Sequence, residues 1–296
     1  MVEFYQIKLE NVEYLPSMPT VLNKLLEVLN DNSISNKEIA KIISLDSSIS
    51  AKILSIANSA LFGGTTQITD ISLAVTRLGR IDVKTIAMTL FVSNMLKRFK
   101  LKNINIEHYW KHNLAVAFLS RRLTQYLKNH NDFAEEQRTM IYLSGLFHDI
   151  GYILFDQINP DVFQLIKNKA SEAHEPFIEL EKIIIHTTHA QEGAELLKHW
   201  NLPEIMVETV RYHHEPSAIE DPLVQQYARI INMADYFANM FDVTTISELD
   251  NEVLSETIWN CFEFADYDTE KYTLFKNELA SQTRLFISFS ELALTL

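Results

Sequence analysis

Apolar residues recur every three or four positions along most of this chain, the spacing that places them on one face of an α-helix. The first part of the sequence divides in this way into five predicted helices. In chain order they are one that opens at Leu15-Pro16-Ser17-Met18-Pro19 and carries Val21 to Leu29, one capped by Ser35 and Glu38, one that follows Asp46, one that ends at Gly79, and one from Asp82 to Leu96. Gly63-Gly64 is predicted to interrupt the helical pattern between the third and the fourth.

A polar joint from Lys97 to Asn105 separates these helices from a second group, which contains all ten histidines. The predicted helices of this group run from His108 to Tyr126, through Tyr142 to about Gly151, from Pro160 to Ala173, from Pro176 through Glu179, Glu181, His186 and His189, from Pro203 to His213-His214, and from Pro222 through Asp235. We therefore predict a lobe of residues 1–100, a second lobe of residues 101–242 and a helical extension of residues 243–296.

Composition also favours helices over strands. The 296 residues include only 6 glycines and 7 prolines, and 47% hydrophobic with 22% charged residues is ordinary for a globular protein. Long segments rich in Leu, Ile, Ala, Glu and Lys lack the alternation that is typical of strands. The expected fold class is all-α, a two-lobed helical bundle.

Charge and cysteine content restrict the classes of function. A formal net charge of -13 opposes general binding to nucleic acid or to an anionic membrane, because both are held largely by Lys and Arg contacts to phosphate. The single cysteine, Cys261, excludes an intramolecular disulfide and fits a reducing cytoplasm. The amino terminus lacks the pattern of a signal peptide, and no apolar run is long enough for a membrane helix. We expect a cytoplasmic protein whose oligomeric state the sequence leaves open.

The segment YLSGLFHDIGYILF, residues 142–155, places His148 and Asp149 inside an apolar run. Burying such a pair is costly unless it is hydrogen-bonded or bound to a metal. Imidazole and carboxylate together suit Fe, Mn, Zn or Ni better than a soft metal. A hydrogen-bonded pair within a helix remains the alternative for this dipeptide.

Other residues of the kind needed for a metal site lie elsewhere in the chain. His112 falls among apolar residues of a long predicted helix, and Asp235 is flanked by Met233, Ala234 and Phe237. His112 could instead be a hydrogen-bonded core histidine, and Asp235 could pair with Arg229. The further candidates are His189, which precedes Gly193 by one helical turn, and the adjacent pair His213 and His214.

A DNA-binding interpretation also has some support. The segment IAKIISLDSSISAKILSIANSALF, residues 39–62, has the spacing of a helix-turn-helix. The face of its last helix that would enter a groove carries mainly Ser and Asn with one cation, Lys52. Such weak basicity favours packing between helices over phosphate binding.

The order His112, His148-Asp149, Asp235 resembles the H…HD…D signature of the HD superfamily of metal-dependent phosphohydrolases. LPSMPTVLNKLL, SLDSSISAKILSIANSALF, ITDISLAVTRLG, GLFHDIGYILF and IHTTHAQEGAELLKHWNLP, followed by two histidines, resemble the HDOD domain (HD-related output domain) of bacterial signalling proteins. The resemblance runs from about Leu15 to Asp235. It implies an HD-like fold for the second lobe.

The resemblance implies a divalent metal held by residues at seven positions: His112, His148, Asp149, His189, His213, His214 and Asp235. It also implies a role in signalling, because many HDOD domains have lost metal ligands and are regarded as regulatory modules. Tyr152 stands where the hydrolases of the superfamily have a lysine, and the Gly-Tyr-Pro loop of the cyclic-di-GMP phosphodiesterases is absent from this sequence. The leading hypothesis is a non-catalytic regulator that binds a signalling protein. The alternatives are a metal-dependent phosphohydrolase, such as a cyclic-di-GMP phosphodiesterase, and a DNA-binding regulator.

Overall fold

The computed structural model describes residues 18, 20–28, 33–59, 66–128, 133–173, 175–244 and 254–295. Within these ranges the regular structure is helical, apart from an isolated β-bridge between Leu127 and Phe262. The all-α prediction is thereby confirmed. Three predictions fall outside the described residues: the lack of a signal peptide at the amino terminus, the helix start at residues 15–17 and the break at Gly63-Gly64. None of the described helices combines the length and apolarity that crossing a membrane requires.

The chain divides into two compact units, and the described part of residues 16–98 forms the core of the smaller one. Its helices are α1 (Thr20–Glu27), α2 (Asn36–Ile43), α3 (Ser47–Ala57), α4 (Ile71–Leu78) and α5 (Arg80–Leu96). The larger unit takes most of the rest, and residues 134–139 and the described part of residues 288–296 group with the smaller one. The domain boundaries inferred from composition stay a prediction.

Local sequence signals explain where the helices of the smaller unit begin and end. Ser35 and Glu38 form the predicted capping box at the start of α2, and the Asp46 carboxylate accepts from the first backbone N–H groups of α3. Gly79 ends α4 with φ of 94°, a left-handed value that favours glycine. α5 follows at once and buries most of its side chains.

The larger unit contains longer helices together with short 3-10 turns. Its helices are α6 (Ile106–Leu123), α7 (Glu135–Phe147), α8 (Ile150–Ile158), α9 (Pro160–Ala173), α10 (Phe177–Ile184), α11 (His189–His199), α12 (Glu204–Arg211), α13 (Pro222–Met240), α14 (Glu256–Trp259) and α15 (Thr269–Thr295). α6 packs along α13, and α11 packs against both α8 and α12. These helices supply all seven candidate metal ligands or the turns that carry them.

The predicted helix through residues 142–151 is wrong in one respect. α7 ends at Phe147, and α8 begins at Ile150, so His148 and Asp149 form the turn between them. The apolar pattern continues across the turn and gave no sign of a break. His148 helps to form the turn, because its Nδ1 donates to the carbonyl of Gly145 at 2.8 Å.

The predicted helix from Pro176 through His189 is also two helices. α10 ends at Ile184, and His186 takes a left-handed backbone conformation with φ of 59°. Thr188 then begins α11 through a capping box with Gln191. The Thr-x-x-Gln spacing was present in the sequence, and His189 therefore lies at the start of a helix instead of at its end.

Two glycines allow α8 and α11 to approach closely. A Cβ atom on Gly151 would overlap the carbonyl group of His189. A Cβ atom on Gly193 would lie 3.2 Å from the backbone nitrogen of Gly151. The close backbone approach predicted at Gly193 is therefore confirmed, and it holds His189 next to the turn that carries His148 and Asp149.

Candidate metal centre

The turn between α7 and α8 provides the first two candidate ligands. His148 is fully buried, and Asp149 is only 4% exposed. His148 Nε2 lies 3.3 Å from Asp149 Oδ1, so the two neighbouring side chains meet on one side of the turn. The break in the helix makes this possible, because consecutive residues of a continuous helix point about 100° apart.

His112 and Asp235 reach the same point from α6 and α13, the two helices that pack along each other. His112 Nε2 lies 3.1 Å from Asp235 Oδ1, 3.5 Å from Asp149 Oδ2 and 3.3 Å from His148 Nε2. Asn239, one turn after Asp235, donates its side-chain N–H to Asp235 Oδ1 at 3.2 Å. The pairing of Asp235 is with His112, and no contact with Arg229 is seen among the described residues. We call His112, His148, Asp149 and Asp235 the aspartate half.

A second group lies beside the first. His189 begins α11, and His213 and His214 form the turn that follows α12. His189 Nε2 lies 2.8 Å from His214 Nε2, and one ligand atom from each of the three residues lies within 4.8 Å of the others. Asn232 of α13 donates to the His213 carbonyl at 2.9 Å and fixes this turn. We call His189, His213 and His214 the three-histidine half.

Asp149 joins the two halves. Its Oδ1 lies 3.3 Å from His148 Nε2 and 3.6 Å from His189 Nε2, while Oδ2 faces His112. A carboxylate that presents its two oxygens in this way can bridge two cations. The structure therefore brings all seven predicted residues into one cluster.

The hydrogen bonds behind the rings set their tautomers. The Nδ1 atoms of His112, His148 and His213 face the carbonyl oxygens of Val243, Gly145 and Val210 at 2.6, 2.8 and 2.7 Å. A carbonyl only accepts, so each Nδ1 carries a proton and donates. Each Nε2 is left to face the centre, the arrangement usual for histidines that bind metals.

The donor set fits a metal ion. His213 Nε2 is buried without a hydrogen-bond partner among the described residues, and a metal would supply the missing interaction. Two imidazole nitrogens bound to one metal at about 2.1 Å lie roughly 3.0–3.4 Å apart. The 3.3 Å between His112 Nε2 and His148 Nε2 agrees with that spacing. Imidazole with carboxylate suits Fe, Mn, Zn or Ni, and the geometry selects none of these.

Burial and charge shift the pKa values in opposite directions around the centre. Burial alone would lower the pKa of His112, but the hydrogen bond and charge of Asp235, with the charge of Asp149, raise this pKa to about 9. Burial would raise the pKa of Asp235, but its hydrogen bond with His112 holds that pKa well below the ordinary value. Without metal, a proton on His112 therefore occupies the place beside Asp235 that a cation would take.

Burial favours the neutral form of two other rings, those of His213 and His148. Burial, followed by the charges of neighbouring histidines, lowers the pKa of His213 well below its ordinary value. Burial also lowers the pKa of His148, against the opposite effects of Asp149 and Asp235. Neutral imidazoles are the form that binds a metal.

Tyr152 lies beside the three-histidine half. Its ring stacks on His189 with centroids 4.0 Å apart, and it also packs edge-on against Phe177. The side chain is 2% exposed. The position where related hydrolases carry a lysine is thus part of an aromatic cluster in this protein.

Sequence reasoning missed the residues that support the ligands. Glu181 is fully buried and accepts from His189 Nδ1, and Asn239 supports Asp235. The side chain of Asn232 supports the His213 turn, and the groups behind the His112, His148 and His213 rings are backbone carbonyls, which no residue type signals. Two other histidines of this part of the chain, His108 and His186, are exposed, on the first turn of α6 and in the turn after α10.

Comparisons with known proteins agree with this architecture. The HDOD domain family matches residues 15–216. A protein of Treponema pallidum (strain Nichols), described as uncharacterized, is 26% identical over 252 residues, which are 84% of this chain and 45% of that protein. The chain thus spans about half the length of this curated relative.

Two solved structures share the fold. One, from Marinobacter aquaeolei VT8 and provisionally named a signal transduction protein, has a TM-score of 0.77 at 20% identity and covers 99% of this chain and 62% of its own. Another, from Shewanella amazonensis SB2B and provisionally named a phosphohydrolase, has a TM-score of 0.69 at 22% identity and covers 97% of each chain. The fold and the helical cluster of histidine and aspartate define an HD-like domain. The chain belongs to the HDOD domain family.

Proposed function

We propose that this chain is a non-catalytic HDOD regulator that holds a metal ion in a buried centre and acts by binding a signalling protein. The observation that supports this proposal best is the closure of the centre. Six of its seven side chains belong to residues that are between 0% and 8% exposed, and only His214 is half-buried. A metal held there would serve mainly to tie the helices together.

Hydrolysis of a phosphodiester needs more than the ligands. The substrate phosphate must reach the metal, and positive charge must stabilise its non-bridging oxygens. Ligands this deeply buried leave little access for a substrate as large as a cyclic dinucleotide. Tyr152, packed on His189, adds an aromatic ring where related hydrolases place a cation.

Two arginines that could bring positive charge to a substrate phosphate, Arg77 and Arg211, have other partners. Arg77 donates to the carbonyls of Ala57 and Thr66 within the smaller unit. Arg211 is paired with Glu195 and Glu208 at 2.9 and 3.0 Å. Because these two arginines already have partners, they are not available to stabilise a phosphate, which favours a structural role for the metal over catalysis.

A metal-dependent phosphohydrolase is the second candidate. It is favoured by the completeness of the ligand set and by Asp149, whose two oxygens face both halves as in enzymes that use two metals. The two fold neighbours carry names that point to signalling and to phosphohydrolysis. At 20% and 22% identity these neighbours show only that the fold is shared. The choice between a regulator and a hydrolase therefore depends on the site of this chain.

The DNA-binding hypothesis gains little support. Lys52, the cation on the outer face of α3, is partly buried, and this burial together with the charge of Lys97 lowers its pKa. A recognition helix needs cations that are free to reach phosphate.

Phosphodiesterase assays separate the first two candidates. The purified full chain, loaded in turn with Mn, Fe and Zn, is incubated with cyclic-di-GMP and with bis(p-nitrophenyl) phosphate. We expect no turnover above that of the His148→Ala, Asp149→Ala double variant. Metal-dependent turnover that this double variant abolishes would overturn the non-catalytic proposal and establish the phosphohydrolase.

A further inference from the structure

Glu181 forms a direct contact with one of the candidate ligands from α10. Its carboxylate oxygens lie 2.8 and 3.0 Å from His189 Nδ1, and Oε2 also accepts from the His189 backbone N–H at 3.0 Å. Both side chains are completely buried. The pair spans the turn between α10 and α11.

The contact differs from those behind the other rings. His112, His148 and His213 each direct Nδ1 to a backbone carbonyl, whereas His189 directs Nδ1 to a carboxylate. A carboxylate behind an imidazole fixes the tautomer and makes the opposite nitrogen a stronger donor to a metal. His189 Nε2 is therefore the electron-rich nitrogen of the three-histidine half.

The two halves of the centre differ in the number of carboxylates that they offer to a metal ion. The aspartate half includes two carboxylates, Asp149 and Asp235, next to its histidines. The three-histidine half offers imidazoles and shares Asp149 across one 3.6 Å approach to His189. A divalent ion beside these three rings would have only the shared Asp149 as a charged neighbour, and Glu181 adds negative charge one ring away.

Holding the start of α11 accounts for one contact of Glu181, the bond that Oε2 accepts from the His189 backbone N–H, but not for its contacts with the ring nitrogen. Thr188 and Gln191 already cap α11 through a capping box. The contact between Glu181 and the ring nitrogen adds nothing to that cap, and a buried carboxylate is costly without strong compensation. A cation bound to the other side of the His189 ring would add to the compensation that the contacts with His189 already give.

We infer that Glu181 is a positioning residue for a second metal ion in the three-histidine half. Its carboxylate orients the His189 ring and makes His189 Nε2 a stronger ligand. The inference rests on the proposed function, in which the centre binds metal. It makes the second ion depend on a residue outside the seven ligands.

The test compares Glu181→Gln with a matched control on the same helix. Glu179→Gln removes an exposed carboxylate two residues away, which pairs with Lys182. The full chain and both variants are stripped of metal and titrated with Co²⁺, whose visible absorption reports the ligands around each equivalent. We expect Glu181→Gln to weaken binding of the second equivalent about 10- to 100-fold and to shift its absorption. Glu179→Gln should match the unaltered chain.

A third variant separates charge from packing. Glu181→Asp keeps the charge but shortens the side chain, whereas glutamine keeps the shape and loses the charge. The inference predicts tighter binding of the second equivalent by the aspartate variant than by the glutamine variant. The reverse order, or equal binding and spectra in Glu181→Gln and the unaltered chain, would overturn it. Absence of any Co²⁺ binding to the unaltered chain would overturn the proposed function as well.

Discussion

Two short joints between helices invite comparison, because each was a candidate functional motif in the sequence. The joint between α2 and α3, residues 44–46, is largely exposed, and Leu45 is 58% exposed. The joint between α7 and α8, His148 and Asp149, is buried among histidines and carboxylates. The first uses its polar group to cap a helix, and the second directs its polar groups inward. A functional site is therefore best sought where more polar side chains are buried than the capping of helices requires.

Metal removal should have the largest effect, and it acts on the buried joint. A ligand present at about a thousand times its dissociation constant stabilises a folded protein by roughly 4 kcal/mol. We expect the melting temperature of the purified chain to fall markedly with a chelator and to recover on adding metal back. His108→Ala, which alters an exposed histidine of α6, should show the same fall. A melting temperature that the chelator does not change would show that no metal stabilises this joint.

Gly151→Ala should have the next largest effect, because it also acts on the buried joint. The new Cβ would overlap the His189 carbonyl, so α8 and α11 must separate. Overpacking of this kind costs about 1–3 kcal/mol, and we expect the upper end. Gly193→Ala, with its nearest contacts at 3.1 Å and 3.2 Å, should cost less in a urea unfolding experiment. Equal costs would show that the contact at His189 is not tight.

Asp46→Ala tests the exposed joint. The Asp46 carboxylate accepts from the N–H groups of Ser48 and Ile49 at 2.9 and 3.1 Å. Loss of such a cap typically costs about 1 kcal/mol. Urea unfolding should report this loss, whereas metal content should stay that of the unaltered chain. A change in metal content would contradict the separation of the two joints.

Lys52→Ala should have the smallest effect. If α3 does not enter a DNA groove, any weak binding of a mixed-sequence duplex is nonspecific. The affinity should then change by less than about twofold, because one phosphate contact adds only part of such binding. Fluorescence anisotropy at several salt concentrations measures this directly. A large loss of affinity with a reduced salt dependence would instead restore the DNA-binding hypothesis.

The sequence predicted the helical class and the seven clustered residues, and it missed how the cluster is assembled. Periodicity reports which residues face the core, and the apolar pattern runs unchanged through His148 and Asp149. The break between α7 and α8 therefore left no trace in that pattern. The capping box at Thr188 was readable and would have placed His189 correctly.

The supporting contacts could not be predicted for a different reason. Glu181 and His189 are eight residues apart on two helices, so their contact exists only after the turn at His186 has formed. Val243 reaches His112 across 131 positions of the chain through a backbone atom. Neither residue type nor local spacing carries information about such contacts.

Elemental analysis of the protein as purified tests the central claim most directly. The unaltered chain and the His148→Ala, Asp149→Ala double variant are prepared side by side, and bound Fe, Mn, Zn and Ni are counted per chain. The proposed centre predicts metal in the unaltered chain and its loss in the double variant, which removes the residue that joins the two halves. Equal metal content in the two proteins, or none in either, would contradict it.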